Sequence, residues 1–269
     1  MIKLLFSIFL SVSVSAQSYM LGEKLEYKII WGFMDVGTSV MSVLPEPVEY
    51  NGVMCHVFKS MAKSHGFMDS MYHVDDKIVS YFDPVTGRTM SAAKRIHEGK
   101  FHREYHADFD HKLHAVSWWS KHFKGKQPDG ENQRFRSGLK KEIPSFILDA
   151  LSAIYYTRNH SEEPVPGKEF TLPVYDDLEV TTLQITVLRE EEIELTVNGV
   201  QKKYQAFVAK PFIPTSGIFK SEGEILIWIS KDKRRIPLKI QSKVNIGNVT
   251  VELDKTENLI EEEPLETGK

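Results

Sequence analysis

From Glu23 onward the chain is a succession of short runs in which apolar and polar residues alternate, each cut off by turn residues. The first group comprises KLEYKIIWGF, TSVMSVL, VMCHVFKSMA, DSMYHV, KIVSYF, TMSAAKRIH, FHREYHADF and LHAVSWW. A second group follows residue 168: EFTLPVY, EVTTLQITVL, EIELTV, KKYQAFVAK, GIFKSEGEILIWIS, RIPLKIQSKV and NVTVELD. Successive side chains of a strand point to opposite faces, so this period of two gives each segment one face for a core and one for water. Short connections between such strands favour antiparallel neighbours, and Asn198-Gly199 is the strongest hairpin turn among them. The pattern predicts a mainly β protein: one strongly curved antiparallel sheet, half-open and barrel-like.

One segment breaks the period. In IPSFILDALSAIYYTRN, residues Leu151, Ile154, Tyr155 and Arg158 fall at helical spacing, and Asp149 suits the N-cap because its carboxylate can accept the first free backbone N–H groups. Ser145 offers an earlier start, so the helix is expected within 145–158. The polar stretch 124–142 before it reads as a long exposed loop. Loop and central helix join two halves, about 17–123 and 160–259, of a single domain, and 260–269 reads as a disordered acidic tail. SYFDPVTGRTMSAAKRIHEGKF and LIWISKDKRRIPLKIQSKVNIGNV resemble each other, with Tyr81 matching Trp228 and Arg88 matching Arg235. Either a duplication or two independent hairpins would produce that likeness.

The chain opens MIKLLFSIFLSVSVSAQSY, with one cation, an apolar run too short to span a bilayer, and the small-residue pattern Val14-Ser15-Ala16. Residues 1–16 are expected to be a signal peptide cleaved before Gln17, which places the protein in the periplasm or outside the cell. No later segment is long and apolar enough to span. The formal net charge of -3 singles out neither a nucleic-acid partner nor an acidic membrane surface. Cys55 is the single cysteine, so no intramolecular disulfide can form, and its place in VMCHVF suits burial better than reactivity.

AAKRIHEGKFHREYH carries the most unusual feature. A turn at Glu98-Gly99 would pair Ile96 with Phe101, Lys94 with Arg103 and Ala92 with Tyr105, placing two cations opposite each other on the more apolar face. In the corresponding hairpin, a turn at Ile246-Gly247 would pair Val244 with Val249, Ser242 with Val251 and Ile240 with Leu253, with no charge on that face. Opposed like charges cost from a few tenths to about 1 kcal/mol. The expectation is therefore that Lys94 and Arg103, beside Tyr105, hold an anion: a carboxylate of the chain or a ligand head group. Otherwise both side chains snorkel to the sheet rim.

Nine of the ten histidines lie between His56 and His122, which raises a metal reading. HEGKFH has one residue too many for the zinc-protease motif, and on one strand His102 and His106 are roughly 13 Å apart. The remaining group is His106 and Asp108, two apart on a strand, with His114 returning from the next. Neither GxSxG nor the GxxxxGK[ST] phosphate loop occurs. Asp75-Asp76 and Asp176-Asp177 are adjacent and read as turn residues, not as an acid/base couple. Trp118-Trp119 reads as one buried and one surface-lying indole. No catalytic residue or cofactor is expected.

GEKLEYKIIWGFMDVGT, SYFDPVTGRTMSAAKRIHEGKFHRE, LDALSAIYY and SGIFKSEGEILIWISKDKRRIPLKIQSKVNIGNVTVEL resemble the exported bacterial family called domain of unknown function 3108, over nearly the whole mature chain. That resemblance implies no activity and no catalytic residues. The strand pattern with one central helix is similar, at the level of fold, to the periplasmic lipoprotein carriers. The expectation is a non-catalytic periplasmic binding or carrier protein for an amphiphilic ligand, such as a lipid, with an anionic head. The alternatives are a metal-dependent envelope enzyme using the histidine-rich region, or an envelope scaffold binding a protein partner.

Overall fold

The structure is a computed structural model that describes residues 17–124, 134–160, 162–212, 225–244 and 247–261. The expected signal peptide, residues 125–133 of the expected loop, the opening of GIFKSEGEILIWIS, residues 245–246 of the second hairpin and most of the acidic tail lie outside the described residues.

The chain begins with β1 (Lys24–Trp31), β2 (Met34–Val43), β3 (Val48–Tyr50) and β4 (Val53–Ser64), followed by a short helix, α1 (Gly66–Met71). Five strands come next: β5 (Asp75–Asp83), β6 (Arg88–Glu98), β7 (Phe101–Asp110), β8 (Ala115–Lys124) and β9 (Arg134–Lys141). Helix α2 (Ala150–Arg158) precedes β10 (Glu169–Asp176), β11 (Glu179–Val197) and β12 (Val200–Phe212). The last strands are β13 (Ile225–Ser230), β14 (Pro237–Val244) and β15 (Gly247–Glu257). Side by side they form one antiparallel sheet in the order β10-β11-β12-β13-β14-β15-β1-β2-β4-β5-β6-β7-β8-β9, with β3 beside β4. The sheet curls without closing, as the strand pattern predicts. Among the described residues no helix is long and apolar enough to cross a membrane.

Alternation builds the interior. On β1, Leu25 and Tyr27 are buried while Lys24 and Lys28 pair outside with Glu257 and Asp254. Helix α2 fills the concavity. Its N-cap is Asp149, whose carboxylate accepts from the N–H groups of Leu151 at 3.0 Å and Ser152 at 3.3 Å. The same carboxylate accepts from Ser80 Oγ at 2.6 Å and Thr89 Oγ1 at 3.0 Å, so one buried side chain starts the helix and fastens it to β5 and β6. Tyr155 on α2 lies flat on Phe58 of β4, with ring centroids 3.9 Å apart, and Tyr19 meets both rings edge-on.

The opening in the sheet is bridged by the strap 143–149. Ile143 N–H donates to His114 at one end, and at the other Leu148 and β10 exchange two bonds, Leu148 N–H to Pro173 O at 3.1 Å and Tyr175 N–H to Leu148 O at 2.8 Å. A second core cluster, with Tyr105, Phe109, Val116, Ile147 and Tyr175, lies under this seam.

Three elements differ from the sequence expectation. DSMYHV begins inside α1, a helix of six residues with none buried, so it carries no apolar stripe to betray it. The expected loop contains β9, every residue of which is exposed, so no alternation is imposed on it. EVTTLQITVL and EIELTV are one strand, β11, continuous through an irregularity between Val187 and Arg189. The Asn198-Gly199 turn forms as expected, with both residues at positive φ and Val197 opposite Val200.

Candidate functional site

The β6–β7 hairpin turns at Gly99-Lys100, one position later than expected, so Glu98 faces Phe101, Ile96 faces Arg103 and Lys94 faces Tyr105. Gly99 has φ 57°, and a Cβ there would meet the Tyr72 ring at 2.9 Å. The shift moves each partner by two residues, which preserves the face. Lys94 and Arg103 therefore share the inner side with Ala92 and Tyr105, but as diagonal neighbours instead of an opposed pair. The second hairpin is displaced the other way, with Ser242 facing Val249 and Ile240 facing Val251.

The β10–β11 turn reaches across the seam and presents two adjacent carboxylates to these cations. Lys94 Nζ is bonded to Asp176 Oδ1, with the two side chains only 12% and 3% exposed. Arg103 Nη1 donates to Asp177 Oδ1, its Nε donates to Ser120 Oγ at 3.2 Å, and its guanidinium lies 5.6 Å from the Tyr105 ring centre. Burial pushes the Tyr105 hydroxyl far above its ordinary value. Asp177 and Leu178 both take positive φ, unfavourable for side chains of this kind, and Leu178 packs against the second core cluster. Lys94 and Arg103 thus each have a carboxylate from the other end of the sheet.

His106 Nε2 lies 3.0 Å from Asp108 Oδ1, and Asp108 also accepts from the Tyr50 hydroxyl. His114 sits in the β7–β8 turn at φ 50°, its Nδ1 facing Ile143 O at 3.2 Å. His106, Asp108 and His114, the group the metal alternative would need, do not converge, and among the described residues no three His, Cys, Asp or Glu side chains form a ready ion site.

A different set of histidines meets at the end of the sheet. In the observed register His97 faces His102, with ring centroids 3.8 Å apart, and the His73 ring lies 4.9 Å from His97. The expected turn would have paired His97 with Lys100, which hid this contact. Burial, then the neighbouring His102 and His73, hold the His97 pKa below its usual value.

At the same end Asp76 and Glu98 are bonded to each other, and burial pushes both carboxyls up. An acid with a raised folded-state pKa stabilises the fold below its unfolded pKa and loses that contribution as pH rises through the folded value. Glu98→Gln is accordingly expected to raise the melting temperature at neutral pH, with the gain shrinking as pH falls through the carboxylate range. A gain that grew in acid would contradict this arrangement.

Two solvent-open concavities lie on the outer face. One of about 450 Å³ is bordered by Lys24, Ser42, Pro45, Lys59 and Met61, and one of about 260 Å³ by Val79, Ala93, Arg95, Glu104 and Trp119. The interior near α2 is filled by side chains. At the end of the sheet nearest Arg103, apolar side chains project from three elements: Phe33 in the turn between β1 and β2, 94% exposed, Phe67 on α1, 74% exposed, and Phe101 at the start of β7, 44% exposed. The pairings Gly37 with Ser64, Lys63 with Asp75 and Val74 with Glu98 put all three on one rim.

The family model for DUF3108, a protein family of unknown function, matches residues 26–254. The chain belongs to the DUF3108 family. Among solved structures, this DUF3108 chain is similar to the β-barrel-like protein of domain of unknown function DUF1849 from Brucella abortus, with TM-score 0.54 and 9% identity over 90% of this chain and 99% of that one. At that identity the likeness concerns the fold alone. A proposed lipoprotein from Parabacteroides distasonis matches at TM-score 0.30 and 10% identity, covering 88% of the DUF3108 chain and 96% of its own. Comparison with curated proteins finds no match.

Proposed function

We propose that this DUF3108 protein is an exported, non-catalytic binding protein of the cell envelope that engages an amphiphile with an anionic head group. The reading of export rests on the N-terminal apolar run and Val14-Ser15-Ala16. The observation that carries the binding reading is the rim: Phe33 in the β1–β2 turn, Phe67 on α1 and Phe101 at the start of β7 offer apolar surface to water. Arg103 follows Phe101 by two residues on the same face of β7, so an acyl chain against the rim would bring its head group near Arg103 and Lys94. Because α2 fills the interior, the amphiphile is held at the rim instead of being enclosed. The head group would compete with Asp176 and Asp177 for the two cations, and arginine's planar fork suits a phosphate or carboxylate.

Co-sedimentation with vesicles containing phosphatidylglycerol tests this. The wild-type protein is expected to bind, and Phe33→Ser or Phe67→Ser to weaken binding by about tenfold or more, since burying a phenylalanine contributes roughly 1.5–3 kcal/mol. Arg103→Ala should remove the preference for anionic over zwitterionic vesicles. A variant that lost thermal stability yet bound vesicles unchanged would make the Arg103–Asp177 pair purely structural. A second reading, an envelope scaffold, draws on the filled interior and on β9, an exposed edge strand open to an added strand from a partner. Vesicle binding that ignores all these substitutions would favour it.

A further inference from the structure

We propose that the outer face of the sheet, from β4 to β8, binds a linear anionic oligosaccharide, a chain of sugars bearing carboxylate or phosphate groups. The site does not rest on the amphiphile reading, since it lies on the opposite face from Lys94 and Arg103.

The strand register lays out a groove. Lys59, Val79, Ala93, His106 and Trp119 stand directly opposite one another on successive strands. Val79 and Ala93 are small, so the floor between Lys59 and Trp119 stays low over a span of about 19 Å, four strand spacings. The two outer concavities meet along it, because Lys77 borders both. Tyr50 of β3 stands at one wall: its ring lies 4.8 Å from that of Tyr81, and its hydroxyl is bonded to Asp108. The other wall is the next row of side chains, Met61, Lys77, Arg95, Glu104 and Lys121.

An aromatic row closes one end. The half-buried Trp119 indole lies between His106, 6.0 Å away and tilted by 19°, and the exposed Phe135, 6.3 Å away and tilted by 23°. A pyranose has a face of C–H groups and a rim of hydroxyls. An electron-rich ring suits the first, and charged side chains beside it suit the second.

Charge selects the ligand class. Lys77 faces Arg95 across β5–β6, and like charges so placed destabilise a strand pair. Arg95 has Asp75 at 3.1 Å. Among the described residues neither Lys77 nor Lys59, its diagonal neighbour on β4, has an acidic partner. An anion between these two lysines would offset their repulsion. Asp75 and Glu104 keep the face from being uniformly basic, and the net charge of -3 gives the chain no long-range pull on a nucleic acid. Spaced cations beside an aromatic row suit a sugar chain with intermittent charge.

Calorimetric titration of the intact protein with alginate oligosaccharides, which carry carboxylates, and with phosphomannan oligosaccharides tests the site. Neutral mannan oligosaccharides and oligothymidylate serve as comparisons. Binding of at least one anionic glycan is expected, with the neutral one weaker by about tenfold or more, and the better of the two anionic probes identifies the charged group. Trp119→Ala should weaken binding about tenfold. Replacing Lys59 and Lys77 together by alanine should erase both the preference over neutral mannan and the sensitivity to salt. Phe33→Ser and Arg103→Ala, which probe the rim, should leave glycan binding unchanged. Both lysines lie outside the core, so their replacement decides the matter even if Trp119→Ala does not fold. The proposal is overturned if neither anionic glycan binds at millimolar concentration, if the neutral one binds equally well or oligothymidylate binds more tightly, or if binding survives the Trp119, Lys59 and Lys77 replacements.

Discussion

Replacing Arg158 with alanine is expected to cost about 3–5 kcal/mol, the range found when one member of a buried ion pair is removed. Arg158 and Glu23 are both almost wholly buried, and the guanidinium grips the carboxylate with two bonds, Nη1 to Oε1 at 2.6 Å and Nη2 to Oε2 at 2.8 Å. Its remaining donors reach Arg234 O at 2.9 Å and Ser18 O at 3.0 Å. Without Arg158 the Glu23 carboxylate is stranded among Tyr19, Tyr27 and Tyr155, with no water to replace the lost charge. For a chain of this size the loss corresponds to a fall of roughly 6–20 °C in melting temperature. Replacing Glu23 and Arg158 together by leucine should recover much of it, because the stranded charge is then gone as well. A loss below about 1 kcal/mol for the single variant would mean that solvent reaches the pair.

Phe58→Ala is expected to cost a further 3–5 kcal/mol or so by a different route, the cavity it leaves. Phe58 is fully buried, stacked on Tyr155 and in contact with Tyr19 and with Phe82, whose ring centre is 5.3 Å away. These neighbours belong to β5, α2 and the N-terminal segment, so collapse into the gap would have to displace the helix that plugs the sheet. Phe58→Leu should cost markedly less, since most of the volume survives. Chemical denaturation curves for the two variants separate the effects, and equal losses would show that ring stacking, not volume, matters here.

The strand content was legible because burial imposes a period of two, and Asp149 announced α2 because few residues can cap a helix. What escaped notice escaped for physical reasons. Strand β9 has no buried face, and α1 has no buried residue, so neither leaves an apolar rhythm. The inner-facing placement of Lys94 and Arg103 was readable from alternation, but their partners were not: Asp176 and Asp177 are more than seventy residues distant and meet them only because the sheet curls. The histidine pair was lost through one turn. Glycine favours the first central position of a two-residue hairpin loop of the mirror-image kind, which points to Gly99-Lys100 and would have set His97 against His102.

Strand β1 lies between β2, which follows it at once, and β15, the last strand among the described residues, so that Lys24 faces Glu257. The segment before it, Ser18 to Glu23, is clasped by Arg158 and Asn159 at the far end of α2. A segment made before every other described strand is thus among the last that can be secured. Until β15 has been synthesised, β1 keeps an unpaired edge, and until α2 has formed, Glu23 has no counter-charge. A chain wired in this way stays pliant until strands from both ends of its length have met, and then locks from both at once.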